Sequence, residues 1–400
     1  MINRYLLGKL KKEINQPEIN IILGARQVGK TTLLKQLQKI IEQSGHITHF
    51  FDLEQPQVLA GFNQNPREII NKIQSSGQTV FIDEFQYIQN ASKIFKAIYD
   101  DNIPIKIFCS GSSSLEIHKH LKESLAGRRF LFRLYPLQLS EITAHNKKIT
   151  LLKYLQYGGM PGLTKTLSEK RKQQILSELL SSYILKDIKS LIKEENIRAF
   201  NHLLYLLAEN QGSAISVHSL ANQIKLSSKA VNRYLDILEE TYVNFRVYSY
   251  SKNLGNELKK SCKTYLFDLG IRNAILKDFS RVSNRPDKGV IFESFVLLKL
   301  QTIIGPNIEI KFWRTKDGDE VDFILLKNRK PLPIEVKSKL TKPEIPKGLK
   351  RFLLRYKNIK HAYVINETIT TRIKYNSCII SFITFEQFDK KISSNTFTPL

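Results

Sequence analysis

Nine consecutive residues near the start of the chain have the types and spacing to hold a polyphosphate. Gly24, Ala25, Arg26, Gln27, Val28, Gly29, Lys30 and Thr31 fit G-x-x-x-x-G-K-[ST], with Thr32 next, set between the apolar run Ile19 to Leu23 and a helix-forming stretch. Turns at Gly24 and Gly29 free backbone N–H groups, and a helix N-terminus points more of them the same way. Lys30 adds a point charge for β- and γ-phosphates, and the Thr31 hydroxyl can take one coordination place on Mg²⁺. The expected ligands are ATP and Mg²⁺.

Asp83 and Glu84 end the apolar run that starts at Thr79. An acid in Asp83's place holds Mg²⁺, usually through water, and Glu84 can orient and deprotonate the attacking water. Two solvated acids at a strand end are the plainer alternative. Arg128 and Arg129 follow the turn Leu125-Ala126-Gly127. A guanidinium there can neutralise charge on a transferred phosphoryl group, within one subunit or across an interface between copies. A salt bridge or a phosphate contact to nucleic acid would use the same residue types.

These residues need a scaffold. Residues 46–53, 79–86, 105–114 and 130–137 read as strands after the first, with helical stretches between them. Alternation of that kind predicts a parallel sheet covered on both faces, with ligands at the carboxyl ends of its strands. The loop, Asp52, Asp83 and the serines at 110 and 112 would then meet along one edge.

A second constellation lies near the C-terminus. Asp322 sits in one predicted strand, and Glu335 and Lys337 sit in the next. Side chains alternate along a strand, so Glu335 and Lys337 share a face while Val336 points into packing. Asp322 on the neighbouring strand can lie beside that pair. Adjacent carboxylates repel, and a second Mg²⁺ or an Mn²⁺ would relieve the repulsion. Lys337 could position or deprotonate a metal-bound water. The alternative is a retained fold in which Glu335 and Lys337 form a surface ion pair.

Between these regions, residues 151–210 show apolar positions at helical spacing, broken by Gly158-Gly159-Met160-Pro161 as a hinge. Three helices with short turns, then alternation through 242–250, outline a winged helix. Ser227 or Ser228 would cap the third helix, which would expose Lys229, Asn232, Arg233 and Asp236. Such a helix suits a major groove, although winged helices also bind proteins.

The chain has 400 residues and a net charge of +25. A field of that sign favours a polyanion such as nucleic acid; a general bias toward lysine would give the same figure. Basic residues recur from Lys342 to Lys360, enough for a phosphate-tracking helix. Three widely separated cysteines argue against disulfides or a zinc site and fit a reducing cytosol. No apolar run reaches the roughly 18 residues of a membrane span, so a cytoplasmic protein without a membrane partner is expected.

Taken with Ser110-Gly111-Ser112 and Ala126-Gly127-Arg128, the phosphate loop and Asp83-Glu84 resemble a prokaryotic AAA-type P-loop ATPase family that carries a C-terminal domain of unknown function. Gly158 to Pro161, Tyr183 to Asp187, Leu266 to Gly270 and Phe292 to Val296 fit the same family's spacing. The resemblance implies ATP binding and hydrolysis. It gives Ser110 and Ser112 the place of a γ-phosphate sensor, where turn-forming serines are the alternative. The C-terminal segment resembles the PD-(D/E)XK nuclease superfamily, which implies that Glu293 is a further acidic ligand; Val321 stands where that superfamily has a proline.

The expected architecture is α/β: a P-loop ATPase domain at 1–155, a helical and winged-helix region at 156–280, and a nuclease-like domain at 281–400. ATP turnover would be coupled to nucleic acid engagement, with metal-dependent cleavage at Glu293, Asp322, Glu335 and Lys337 and a homo-oligomer as further expectations. The competing reading is an ATP-dependent switch whose C-terminal domain binds protein or DNA without cutting.

Overall fold

The runs Ile19–Leu23, Thr79–Asp83 and Lys106–Gly111 are buried at every position while Thr48–Asp52 and Arg129–Arg133 are only partly buried, the contrast between central and edge strands of a covered parallel sheet. The structure, a computed structural model, describes residues 2–111, 125–182, 197–251, 262–394 and 396–397. It forms two compact units. One comprises Met1–Leu137, Met160–Gly162 and Asp236–Val243; the other comprises Gln138–Gly159, Leu163–Leu235 and Asn244–Leu400.

In the first unit, β1 (Ile19–Leu23), β2 (Thr48–Asp52), β3 (Thr79–Asp83), β4 (Lys106–Gly111) and β5 (Arg129–Arg133) lie in the order β2-β3-β4-β1-β5. Every pairing is parallel. β2, β3 and β4 fall inside the segments read from the sequence, and β5 begins one residue before its expected start at 130 and ends at Arg133. The helix Lys30–Gln43 buries Leu33, Leu34, Leu37 and Ile41, the stripe expected of a 3.6-residue period. Asp52 pairs with Asp83, and Ile22 with Ser110, so β1 to β4 end along one edge.

The second unit carries β6 (Asn244–Ser249), β7 (Cys262–Leu266), β8 (Ile308–Arg314), β9 (Glu320–Lys327), β10 (Lys330–Lys337), β11 (His361–Asn366), β12 (Thr371–Tyr375) and β13 (Cys378–Thr384). They form one sheet in the order β12-β13-β11-β10-β9-β8-β6-β7. Helices Ile197–Glu209, Val217–Ile224 and Ser228–Glu240 are followed by the antiparallel pair β6–β7. Ser227 accepts the Ala230 N–H as cap, and Lys229, Asn232, Arg233 and Asp236 are exposed.

β6 pairs with β8, so one sheet has strands on both sides of the border expected at 280/281. Pairing of strands more than 50 residues apart carries no local signal. β9 and β10 are joined by Asn328 and Arg329, both with positive φ (49° and 63°), the two-residue turn that fixes hairpin register.

The segment Gly158-Gly159 is a clasp. Gly158 ends the helix Leu151–Tyr157 at φ 74°, and a Cβ there would lie 2.2 Å from Asp268 Oδ1. Asp268 accepts N–H groups from Gly159 (2.7 Å) and Ile271 (3.0 Å), capping the helix Leu269–Leu276. Burial pushes its carboxyl up to about 6, against those hydrogen bonds. The folded form then takes up a proton that the unfolded chain, with an aspartate near 3.9, lacks between those values. This contribution to stability is complete below pH ~4 and lost as pH rises through about 6. Urea midpoints measured across that window should show the wild type losing ground to Asp268→Asn as pH rises; parallel curves would refute the assignment.

Candidate functional site

The phosphate loop follows β1 directly. Gly24 is required by a close approach, since a Cβ there would meet the Leu134 carbonyl oxygen at 2.3 Å. Gly29 takes φ 98° and is the N-cap of the helix that starts at Lys30. Gln27 also has positive φ (60°), and Ala25 and Val28 are buried beneath the loop. Arg26 is half-buried and Thr32 exposed. A residue that sequence reading missed braces this loop: Arg4 Nη1 donates to the Val28 carbonyl (2.9 Å) and Nη2 to that of Tyr135 (2.5 Å). No motif links an arginine before the first helix to a loop 24 residues on.

Lys30 is 5% exposed, and its Nζ donates to the carbonyls of Gly24 (3.2 Å) and Ala25 (3.3 Å). Burial lowers its pKa, while Glu84 and Asp83 oppose that shift. The Glu84 carboxylate lies 3.8 Å from Nζ. Asp83, buried at the end of β3, bonds the hydroxyls of Ser110 and Thr31. Burial raises the Asp83 pKa, and those two hydroxyls hold it back. Lys30, Thr31, Asp83, Glu84 and Ser110 thus converge at one sheet edge. Glu84 stands in left-handed backbone (φ 55°, ψ 47°), and the Gln86 amide donates to its Oε2 (2.5 Å). Ser112 lies outside the described residues, as do Tyr183 to Asp187.

Arg128 is elsewhere. Arg129 pairs with Ile19 at the start of β1, so both arginines occupy the edge opposite the phosphate loop. Arg128 Nε and Nη2 grip the Asp100 carboxylate at 2.5 and 3.1 Å. Strand direction thus places Arg128 away from the phosphate loop of its own subunit, and its ion pair with Asp100 is the salt-bridge alternative expected of that residue type.

In the second unit, β9 and β10 pair up to Phe323–Ile334. Beyond that point Asp322 Oδ2 takes the Val336 N–H (2.7 Å) in place of a ladder carbonyl. Glu335 is 4% exposed; Lys337 Nζ lies 2.7 Å from its Oε1, while its Oε2 is buried without a hydrogen-bond partner. Burial and then Asp322 raise the Glu335 pKa. Glu293, on the helix Lys288–Gln301, is instead bound by Tyr265 Oη (2.5 Å) and Lys263 Nζ (3.1 Å). The expected three-carboxylate ligand set is thereby corrected: among the described residues no group of three or more His, Cys, Asp or Glu is placed to hold one metal ion. Asp322 and Glu335 remain adjacent, and Glu293 is engaged by the chain's own cation. Lys263 and Tyr265, two apart on β7, escaped sequence reading because alternation shows a shared face but not what that face meets.

Comparison with known proteins agrees with the first unit's geometry. Residues 16–143 match the family model described as an AAA domain. Residues 149–281 and 288–386 match two models described as domains of unknown function, DUF8612 and DUF4143. The chain therefore carries an AAA-type ATPase domain followed by two domains whose roles are open. An uncharacterized protein of Mycobacterium tuberculosis is 25% identical over 350 residues, covering 87% of this chain and 76% of its own. An uncharacterized protein of Methanocaldococcus jannaschii is 27% identical over 363 residues, covering 86% and 80%. A solved structure titled replication initiator DnaA bound to AMPPCP and single-stranded DNA aligns at 16% identity over 60% of this chain and 88% of its own. Its TM-score is 0.32, too low to equate the folds. No helix among the described residues is long and apolar enough to cross a membrane.

Proposed function

We propose that this protein binds and hydrolyses ATP at the edge formed by Gly24 to Thr32, Asp83, Glu84 and Ser110, and couples turnover to nucleic acid held by its basic second unit. The observation that carries the reading is the contact of Thr31 and Asp83 beside Lys30 and Glu84. Thr31 and Asp83 are the pair that would hold Mg²⁺, which when bound draws charge from the phosphoryl oxygens. Lys30 exchanges its carbonyl partners for the β- and γ-phosphates. Glu84 accepts the proton of the attacking water as the γ-phosphoryl group leaves ADP. Ser110 keeps Asp83 oriented through its hydroxyl and is the residue assigned to sensing the γ-phosphate.

The nucleic acid part rests on the +25 net charge and on exposed Lys229, Asn232 and Arg233 along one helix. ATPase rate should rise on adding DNA or RNA, with affinity falling steeply in salt, and Lys229→Ala/Arg233→Ala should flatten that slope by about 2. A rate indifferent to both polymers, with no salt-dependent binding, would leave the switch that binds a protein partner.

The orphaned Oε2 of Glu335 beside Asp322 favours a further reading, a divalent cation held by those two carboxylates. A bound cation would polarise a phosphodiester, with Lys337 positioned on Glu335 to stabilise developing charge. Mn²⁺-dependent cleavage that disappears in Asp322→Asn would support it; uncut single- and double-stranded DNA and RNA would dismiss it.

A further inference from the structure

Lys263 is out of place for a basic residue. It sits on β7 with a side chain 1% exposed, inside an acidic site rather than on the surface. Its Nζ meets the carboxylates of Glu293 (3.1 Å) and Glu320, with Asp322 close enough to attract it. β6 and β8 lie between β7 and β9, so the long lysine stem is used to span the gap. It crosses the Phe312 ring, 5.4 Å from its centroid. Burying an ammonium costs several kcal/mol in real proteins unless carboxylates surround it. Here they do, and the balance favours the charge: opposing burial, the acids hold Lys263 above an ordinary lysine.

The rest of the cluster shows what that charge replaces. Glu293 is hemmed in by Tyr265 Oη and by Gly212, whose Cβ, if present, would lie 3.3 Å from Oε1. Glu320 has Arg314 on its outer side at 3.6 Å. Lys337 pairs with Glu335 and is drawn by Asp322 as well, so two carboxylates share one ammonium group on that side, where the Glu335 Oε2 is orphaned. The two halves differ: one is closed by a covalently attached cation, the other is short of one.

We propose that the Lys263 ammonium occupies one of two cation positions in this carboxylate site, standing where a divalent metal would otherwise bridge Glu293 and Glu320. The site then takes at most one exchangeable divalent ion, at Asp322 and Glu335. This deepens the acidic-site reading above without depending on whether that ion is bound, because it concerns the difference made by Lys263. An ammonium fixed to β7 does not exchange, so half of the site is neutralised before any ion arrives.

Mn²⁺ binding to the full-length, nucleotide-free protein, counted by electron paramagnetic resonance, tests this. Lys263→Met should bind one more Mn²⁺ than the wild type, and adding Glu293→Gln should remove the extra ion. Lys263→Arg, which keeps the charge, should bind the wild-type number. Equal counts in folded wild type and Lys263→Met overturn the proposal. Should Lys263→Met fail to fold in chelator, recovery in Mn²⁺ supports it; failure of both Lys263→Met and Lys263→Gln to recover in Mn²⁺ overturns it. A wild-type count of zero removes the Asp322–Glu335 ion instead, and leaves the Lys263 comparison to be read by itself.

Discussion

Glu84→Gln protein will bind ATP about as tightly as the wild type and turn it over at least ~100-fold more slowly. The amide keeps the size of the side chain and its contact with Gln86 but cannot accept a proton. Lys30→Ala differs in kind. It removes the cation that faces Glu84 at 3.8 Å and leaves Asp83 and Glu84 to repel the incoming phosphates. Binding itself should weaken by at least ~10-fold, and turnover should fall by two to three orders of magnitude, on the order of 3–4 kcal/mol. Titration with a fluorescent ATP analogue and single-turnover hydrolysis separate the two. Hydrolysis within threefold of wild type in Glu84→Gln would remove Glu84 from the chemistry and point to another base.

The largest stability loss is expected at Arg272. Its side chain is 1% exposed; Nη1 lies 2.7 Å from Asp287 Oδ2 and Nε donates to the Ala208 carbonyl at 3.0 Å. Burial lowers its pKa, and Asp287 opposes that shift. Arg285 shares Asp287, at 2.8 Å to Oδ1 and 2.6 Å to Oδ2, and also donates to Asn273. Arg272→Ala opens a void and strands a carbonyl, while Asp287 keeps one partner. With Asp287 still held by Arg285, the loss of the buried guanidinium's packing and hydrogen bonds costs about 3 kcal/mol. For a unit of this size the thermal midpoint should drop by roughly 10 °C. Arg272→Ala melting within 2 °C of wild type, by circular dichroism, would show that the network is not holding these helices.

Both predictions concern residues that fared differently in the sequence. Lys30, Thr31, Asp83 and Glu84 were legible because each sits at the junction of an apolar run and a polar turn. The helix Ser228–Glu240 was legible too: Val231, Tyr234, Leu235 and Leu238 are buried and Lys229, Asn232 and Arg233 exposed, as a 3.6-residue period requires. Arg272 gave no signal. An arginine in an apolar helix start reads as a surface residue until its partner 15 residues on is seen.

A phosphate loop is written in consecutive residues because its donors are backbone groups of one turn, and the order of types along the chain suffices to specify it. Strand alternation likewise placed Glu335 with Lys337. What strand order decides lies outside any local pattern. It set Arg128 at the opposite edge from the loop, joined β6 to β8 across an expected domain border, and brought Lys263 of β7 to Glu320 of β9. Those are contacts between segments far apart in the chain, selected by how two sheets bury their faces, and only the folded arrangement of strands contains them.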